Sequence, residues 1–193
     1  MKKFIQYSLT AVAFTLMAAF AKAGNNYGNI NVLSNGVVKV MISDAPTLHN
    51  IAISDENGNN LYELSDMKAG SFKNIDFSMV PDGTYYIKVE NKRSIETTQV
   101  QKVGGLVTIA SESDLFVKPI FRKEGDVLNV FFTNPGQKDV EINVYNQNGS
   151  VVNTVKTDAA SIAKGFDFSK SLHGNYKVVL SQDNYVFSTD FDF

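Results

Sequence analysis

Residues Ile75–Val89 read IDFSMVPDGTYYIKV, and this stretch decides the fold. Ile75 and Phe77 alternate with polar neighbours, which is the two-residue period of a half-buried strand. Pro81, Asp82 and Gly83 break it, and Tyr85, Ile87 and Val89 resume the alternation. The pattern returns 91 residues later as Phe166–Leu180, FDFSKSLHGNYKVVL, where Asp167, Phe168, Ser169, Gly174 and Tyr176 repeat Asp76, Phe77, Ser78, Gly83 and Tyr85. A tyrosine just after such a break matches the tyrosine corner of Greek-key sandwiches, in which its hydroxyl bonds back to the backbone a few residues upstream. Phe77, Gly83, Tyr85, Phe168, Gly174 and Tyr176 are therefore read as structural corner residues. Each glycine is expected to permit a turn that a β-carbon would strain.

Working outward, short alternating segments run the length of the chain. Val37–Ile42, Asn50–Ser54, Leu61–Leu64, Phe72–Phe77, Tyr85–Glu90 and Ile95–Gln101 are strands, preceded by a weaker one in Tyr27–Leu33. Val127–Phe132 and Ile142–Asn146 repeat two of these at offsets of 90 and 91. A near-constant offset is the mark of an internal duplication. Asn57-Gly58 and Asn148-Gly149 are predicted hairpin turns of type I′, which requires positive φ at both central residues. Gly104-Gly105 is read as a hinge, which places the domain boundary there. Pro119, within Phe116–Phe121, predicts an edge strand.

Lys2 and Lys3, the apolar run Leu9–Phe20 and Ala21-Lys22-Ala23 form the three parts of a secretory signal peptide. The predicted organisation is a signal peptide over residues 1–23, a β-sandwich over 24–105 and a second over 106–193. The apolar run is shorter than the ~20 residues a membrane-spanning helix needs, so no transmembrane segment is expected in the mature chain. Removing Lys2, Lys3 and Lys22 takes the formal charge from −2 to −5. A mildly acidic chain without a basic cluster is a poor match for nucleic acid. The sequence has no cysteine, so burial alone must hold an exported fold.

The run I142-N-V-Y-N-Q-N-G149, followed by F166-D-F-S169 and G174-N-Y-K-V-V-L180, resembles the immunoglobulin-like C-terminal sorting domains of type IX-secreted bacterial proteins. Those read v-x-i-y-n-x-x-G and then d-l-S-x-l-x-x-G-x-Y. The first unit matches equally well, through I53-S-D-E-N-G58 and D76-F-S-M-V-P-D-G-T-Y-Y-I-K-V89. The resemblance implies an all-β chain of two tandem immunoglobulin-like Greek-key sandwiches, similar to small secreted proteins of the same bacteria. It also implies that the C-terminal unit acts as a sorting or docking domain. The sorting domains close on a basic strand, whereas Ser188–Phe193 is acidic and aromatic.

Candidate chemistry is sparse. Asp55, Asn57, Asn59 and Asp66 have the oxygen spacing of a cation loop, but the sixth-position glycine is missing, and a plain turn is the simpler reading. His49 and His173 lack metal-ligand spacing and are expected at the surface. There is no nucleophile elbow, paired carboxylate or phosphate loop, so neither an enzyme nor a cofactor is expected. The expected role is a non-enzymatic binding or adhesion-type module. Such a module would be periplasmic or extracellular, with a protein or glycan partner at the cell envelope. Ser43–Leu48, Asp66–Ser71 and Asn134–Asp139 are its candidate binding loops.

Overall fold

The computed structural model describes residues 28–33, 36–43, 47–111 and 113–193. The signal peptide, the mature start at Gly24 and residues 44–46 of the candidate Ser43–Leu48 loop lie outside them. Among the described residues every regular element is a strand, and no helix is long and apolar enough to cross a membrane.

The chain divides into two compact units at Val117/Lys118. The first contains β1 (Gly28–Val32), β2 (Val37–Ile42), β3 (His49–Asp55), β4 (Asn60–Met67), β5 (Phe72–Asp76), β6 (Gly83–Glu90), β7 (Ser94–Val103), β8 (Leu106–Ile109) and β9 (Asp114–Val117). One sheet runs β1-β2-β5 and the other β4-β3-β6-β7-β8, with β9 also pairing β7. The second unit contains β10 (Ile120–Glu124), β11 (Val127–Thr133), β12 (Val140–Tyr145), β13 (Val151–Thr157), β14 (Ser161–Asp167), β15 (Asn175–Gln182) and β16 (Tyr185–Asp192). Its sheets run β10-β11-β14 and β13-β12-β15-β16. Strand for strand, this is the order of β1 to β7.

Alternation builds the core. Val38, Val40 and Ile42 of one sheet and Ile51, Ile53, Tyr85, Ile87 and Val89 of the other form one buried cluster in the first unit. Leu128, Val130, Phe132, Ile142, Val144, Val178 and Leu180 are buried at the matching positions of the second.

Three local expectations are corrected. Gly104-Gly105 is a two-residue hairpin turn, not a hinge: both glycines have positive φ (57° and 84°), and Val103 pairs with Leu106 across them. The first unit therefore keeps β8 and β9, and its end moves from Gly105 to Val117. Asn57-Gly58 and Asn148-Gly149 are hairpin turns, but not of type I′. Only the glycine of each pair has positive φ. The turns instead close from Gly58 N to Asp55 O and from Gly149 N to Asn146 O, with the glycine as the left-handed fourth residue. Finally, Phe116–Phe121 is not one edge strand. Lys118-Pro119 separates β9 from β10, since proline offers no N–H to a ladder.

Candidate functional site: the corners and the closing strands

The two corners agree bond for bond. The Asp76 carboxylate accepts the Ser78 N–H at 2.8 Å, and Asp167 accepts that of Ser169 at 2.9 Å. These backbone N–H groups, first among several causes, hold both carboxyls below their ordinary pKa. Tyr85 donates its hydroxyl to Pro81 O at 2.6 Å, and Tyr176 donates to Leu172 O at 2.8 Å. Burial, with the nearby Asp55, Asp82 and Glu56 charges, pushes the Tyr85 phenol up and keeps it a donor. Phe77 meets Tyr85 edge-on at 5.5 Å, and Phe168 lies 4.9 Å from Tyr176. Tyr85→Phe and Tyr176→Phe should each cost roughly 1 kcal/mol, the net worth of one such bond. Unchanged denaturation midpoints in both variants would reject the bond as a stabilising contact.

The two corner glycines differ, which corrects the shared role expected of them. Gly174 has φ of 151°, and a β-carbon there would lie 2.8 Å from Gln147 Oε1. Gly83 has ordinary φ, and its nearest neighbour would be 4.0 Å away. Gly174→Ala should cost about 1–2 kcal/mol through strain, whereas Gly83→Ala should fall within about 0.5 kcal/mol of wild type. Equal losses in chemical denaturation would refute the distinction.

Beside each corner runs a closing strand, and here the units diverge. Inward positions of β7 carry Glu96, Thr98, Val100 and Lys102, all buried. Each polar side chain has a partner, although Glu96 Oε1 has none among the described residues. Gly28 N donates to Glu96 Oε2 at 2.9 Å, Thr98 Oγ1 bonds Ser113 Oγ at 2.6 Å, and Lys102 Nζ donates to Ser78 O and Val80 O at 3.0 and 2.6 Å. Lys102 thus ties the closing strand to the corner. The register pairs Gly83 with Lys102 and Tyr85 with Val100, as it pairs Tyr176 with Phe191. The equivalents of Glu96, Thr98, Val100 and Lys102 are therefore Phe187, Thr189, Phe191 and Phe193. Phe191 packs 4.7 Å from Phe168, and Phe193 stacks on His173 at 5.0 Å. One closing strand is polar and hydrogen-bonded inward; the other is aromatic.

The proposed cation loop does not assemble. Asp55 Oδ1 accepts the N–H groups of Asn57 and Asn59, and Oδ2 accepts Asn59 Nδ2. The Asn59 side chain is the first cause of its lowered pKa. Asp66 sits at the far end of the β3–β4 hairpin, where its backbone N–H donates to Asn50 Oδ1. Among the described residues no three His, Cys, Asp or Glu side chains group to hold a metal.

His173 is exposed, as expected, but His49 is fully buried. Its Nε2 lies 3.0 Å from Asn91 Nδ2. The Asn91 amide is oriented because its Oδ1 already accepts from Arg93 N, Ser94 N and Ser94 Oγ. Asn91 is therefore the donor and His49 Nε2 the acceptor, which requires neutral imidazole. Burial, partly offset by the Thr47 backbone, lowers the His49 pKa from its ordinary 6.5. The folded pKa lies below the unfolded one, so this contribution is complete above 6.5 and is lost as pH falls below it. His49→Gln should lose less stability than wild type between neutral pH and pH about 5. Parallel pH profiles would contradict this.

Sequence reasoning missed this hub and its counterpart at the same end of the second unit. Within the predicted Asn134–Asp139 loop, buried Asn134 accepts from Gln182 Nε2 at 2.8 Å and donates to Lys138 O at 2.8 Å. No pattern marks a single Asn among many, although a Gln at the strand end, where the first unit has Asn91, was a usable sign.

Residues 26–103 match the family model described as the secretion system C-terminal sorting domain. The first unit is similar to a sorting domain. The matched stretch ends on β7, one residue past Lys102, and so covers the unit with the polar closing strand. None of the curated proteins matches the chain. Among solved structures, it is similar to a biofilm-associated protein BSP domain, at 14% identity and a TM-score of 0.30, covering 86% of this chain and 28% of that one. A β-D-glucuronidase from Dictyoglomus thermophilum aligns at 10% identity and a TM-score of 0.25, covering 82% of this chain and 36% of that one. The chain thus spans about a third of each solved chain, or less.

Proposed function

We propose that this chain is an exported, non-enzymatic module of the cell envelope or exterior, made of two tandem immunoglobulin-like sandwiches closed by tyrosine corners. Its partner is a protein or glycan of the envelope. The observation that carries this reading is the place of the sorting-domain match. It falls on the first unit, whose closing strand β7 is covered by β8 and β9. A sorting-type sandwich followed in the same chain by a second sandwich serves as a structural domain, and the family match supports export. Labelled protein should bind saturably to outer-membrane vesicles or to purified envelope glycans. Absence of saturable binding to every envelope fraction would contradict the reading.

A second reading makes the C-terminal unit a type IX sorting or docking domain. The repeated corner favours it, with Tyr176 bonded to Leu172 O as Tyr85 is to Pro81 O. A reporter fused ahead of residues 118–193 would then cross the outer membrane of a host with the export machine. Retention in the periplasm would reject that role.

A further inference from the structure

We propose that the outer edge of β16 is a self-pairing surface, through which two copies of this chain join by antiparallel β16–β16 pairing about a two-fold axis at Ser188. This goes beyond the binding role above and does not rest on it.

Alternate residues of β16 direct their backbone groups outward. Gly174 and Phe193 exchange both N–H···O bonds, at 2.8 and 3.1 Å. In an antiparallel ladder, bonded pairs alternate with pairs whose groups point the other way. Phe191, Thr189, Phe187 and Tyr185 therefore bond to β15, while Val186, Ser188, Asp190 and Asp192 direct their N–H and C=O groups to the outer edge. Among the described residues no strand pairs with that edge. The Asp192 carbonyl at its end accepts Lys123 Nζ at 2.5 Å.

The first unit shows what such an edge takes in this fold. The matching row on β7 is Ile95, Thr97, Gln99 and Gln101, and it is filled. Ile95 and Thr97 pair with β9, Gln101 pairs with β8, and Gln99 O accepts Ala110 N at 2.9 Å. Each added strand is antiparallel and comes from the same chain. On β16 the row stands open over an eight-residue strand that pairs with β15 without a bulge and contains no proline. A long, regular, unpaired edge is a template for another strand.

The row is complementary to itself. With Ser188 facing Ser188, Asp190 of each copy faces Val186 of the other, and every facing pair has its backbone groups directed at its partner. The carboxylates stay apart; a two-fold at Asp190 would set them directly opposite, which is unfavourable. Val186, 65% exposed, would gain cover. The two four-stranded sheets would become one continuous eight-stranded sheet.

Sedimentation velocity on the full chain tests this, with three variants. The wild type should sediment with twice the mass of one chain. Ser188→Pro removes an N–H that β15 does not use, so it should sediment as a single chain with an unchanged melt. The protein has no cysteine, so Ser188→Cys supplies one thiol per chain. Facing Cα atoms about 5.5 Å apart suit a disulfide, so mild oxidation should yield a covalent dimer, while Ser161→Cys on edge strand β14 should not. If Ser188→Pro fails to fold, the Ser188→Cys cross-link decides. A single-chain mass at all concentrations, or a dimer that does not cross-link through Ser188→Cys, would overturn the proposal.

Discussion

Phe168→Ala should destabilise the second unit by about 3–5 kcal/mol, and Phe77→Ala should do the same to the first. Both rings are almost wholly buried, 1% and 2% exposed. Each sits where the strand ends and the corner begins, its N–H held by a carbonyl of the facing loop, Asp126 O for Phe168 and Gly36 O for Phe77. Phe168 touches three other rings, Tyr176, Phe191 and Phe193, at 4.9, 4.7 and 6.1 Å. Truncation would leave a cavity walled by aromatic side chains, which cannot collapse without pulling the corner inward. Phe168→Leu should recover part of the loss, because it restores volume without the ring contacts. Denaturant midpoints separate the variants. A cost below about 1 kcal/mol would mean that the ring is not a core anchor.

The second large effect is polar. Asn134→Ala should cost the second unit about 2–4 kcal/mol, because it strands buried donors and acceptors rather than removing apolar area. Asn134 Oδ1 accepts from Lys138 N and Gln182 Nε2, and Nδ2 faces the carbonyls of Lys138, Asp158 and Ala159 at 2.8, 3.3 and 3.2 Å. Both Asn134 and Gln182 are buried, so water cannot replace the lost partner cheaply. Asn134→Asp keeps the volume but turns a donor into a carboxylate oxygen facing three carbonyls. It should be at least as damaging as alanine at neutral pH. If Asn134→Asp were neutral, the amide would not be acting through its N–H groups.

These two residues also mark what could be read in advance. Phe168 is legible because its signal is periodic and duplicated: it ends an alternating strand, precedes a break and recurs at a fixed offset from Phe77. Asn134 is not, because a buried amide is set by which carbonyls converge on it, and that convergence is tertiary. The turns show the same limit. Asn57-Gly58 and Gly104-Gly105 are both turn sequences, yet the second, not the first, carries two positive φ values. What decides is loop length. Four residues separate β3 from β4, whereas two separate β7 from β8. Reading Gly104-Gly105 as a hinge detached β8 and β9 from the strand they complete. His49 was misplaced for a related reason: polarity suggested the surface, but Asn91, on a neighbouring segment, bonds its Nε2 inside. The Asp55 and Asp66 spacing suggested one loop, whereas the hairpin carries them to opposite ends.

The contrast between Lys102 and Phe193 was legible only in part. The acidic and aromatic end of the chain was plain. That Lys102 holds the equivalent place, bonded to two corner carbonyls, needed the register of β6 with β7. The functional account rests on the place of the sorting-domain match, on the first unit, and the contrast shows that the two units close differently.

The most direct test is the intact mass of the native protein, recovered separately from culture medium and from the cell envelope. The account predicts that both fractions hold one chain retaining both units through Phe193. A secreted species ending near Val117, with residues 118–193 removed, would contradict it and make the C-terminal unit a processed sorting signal.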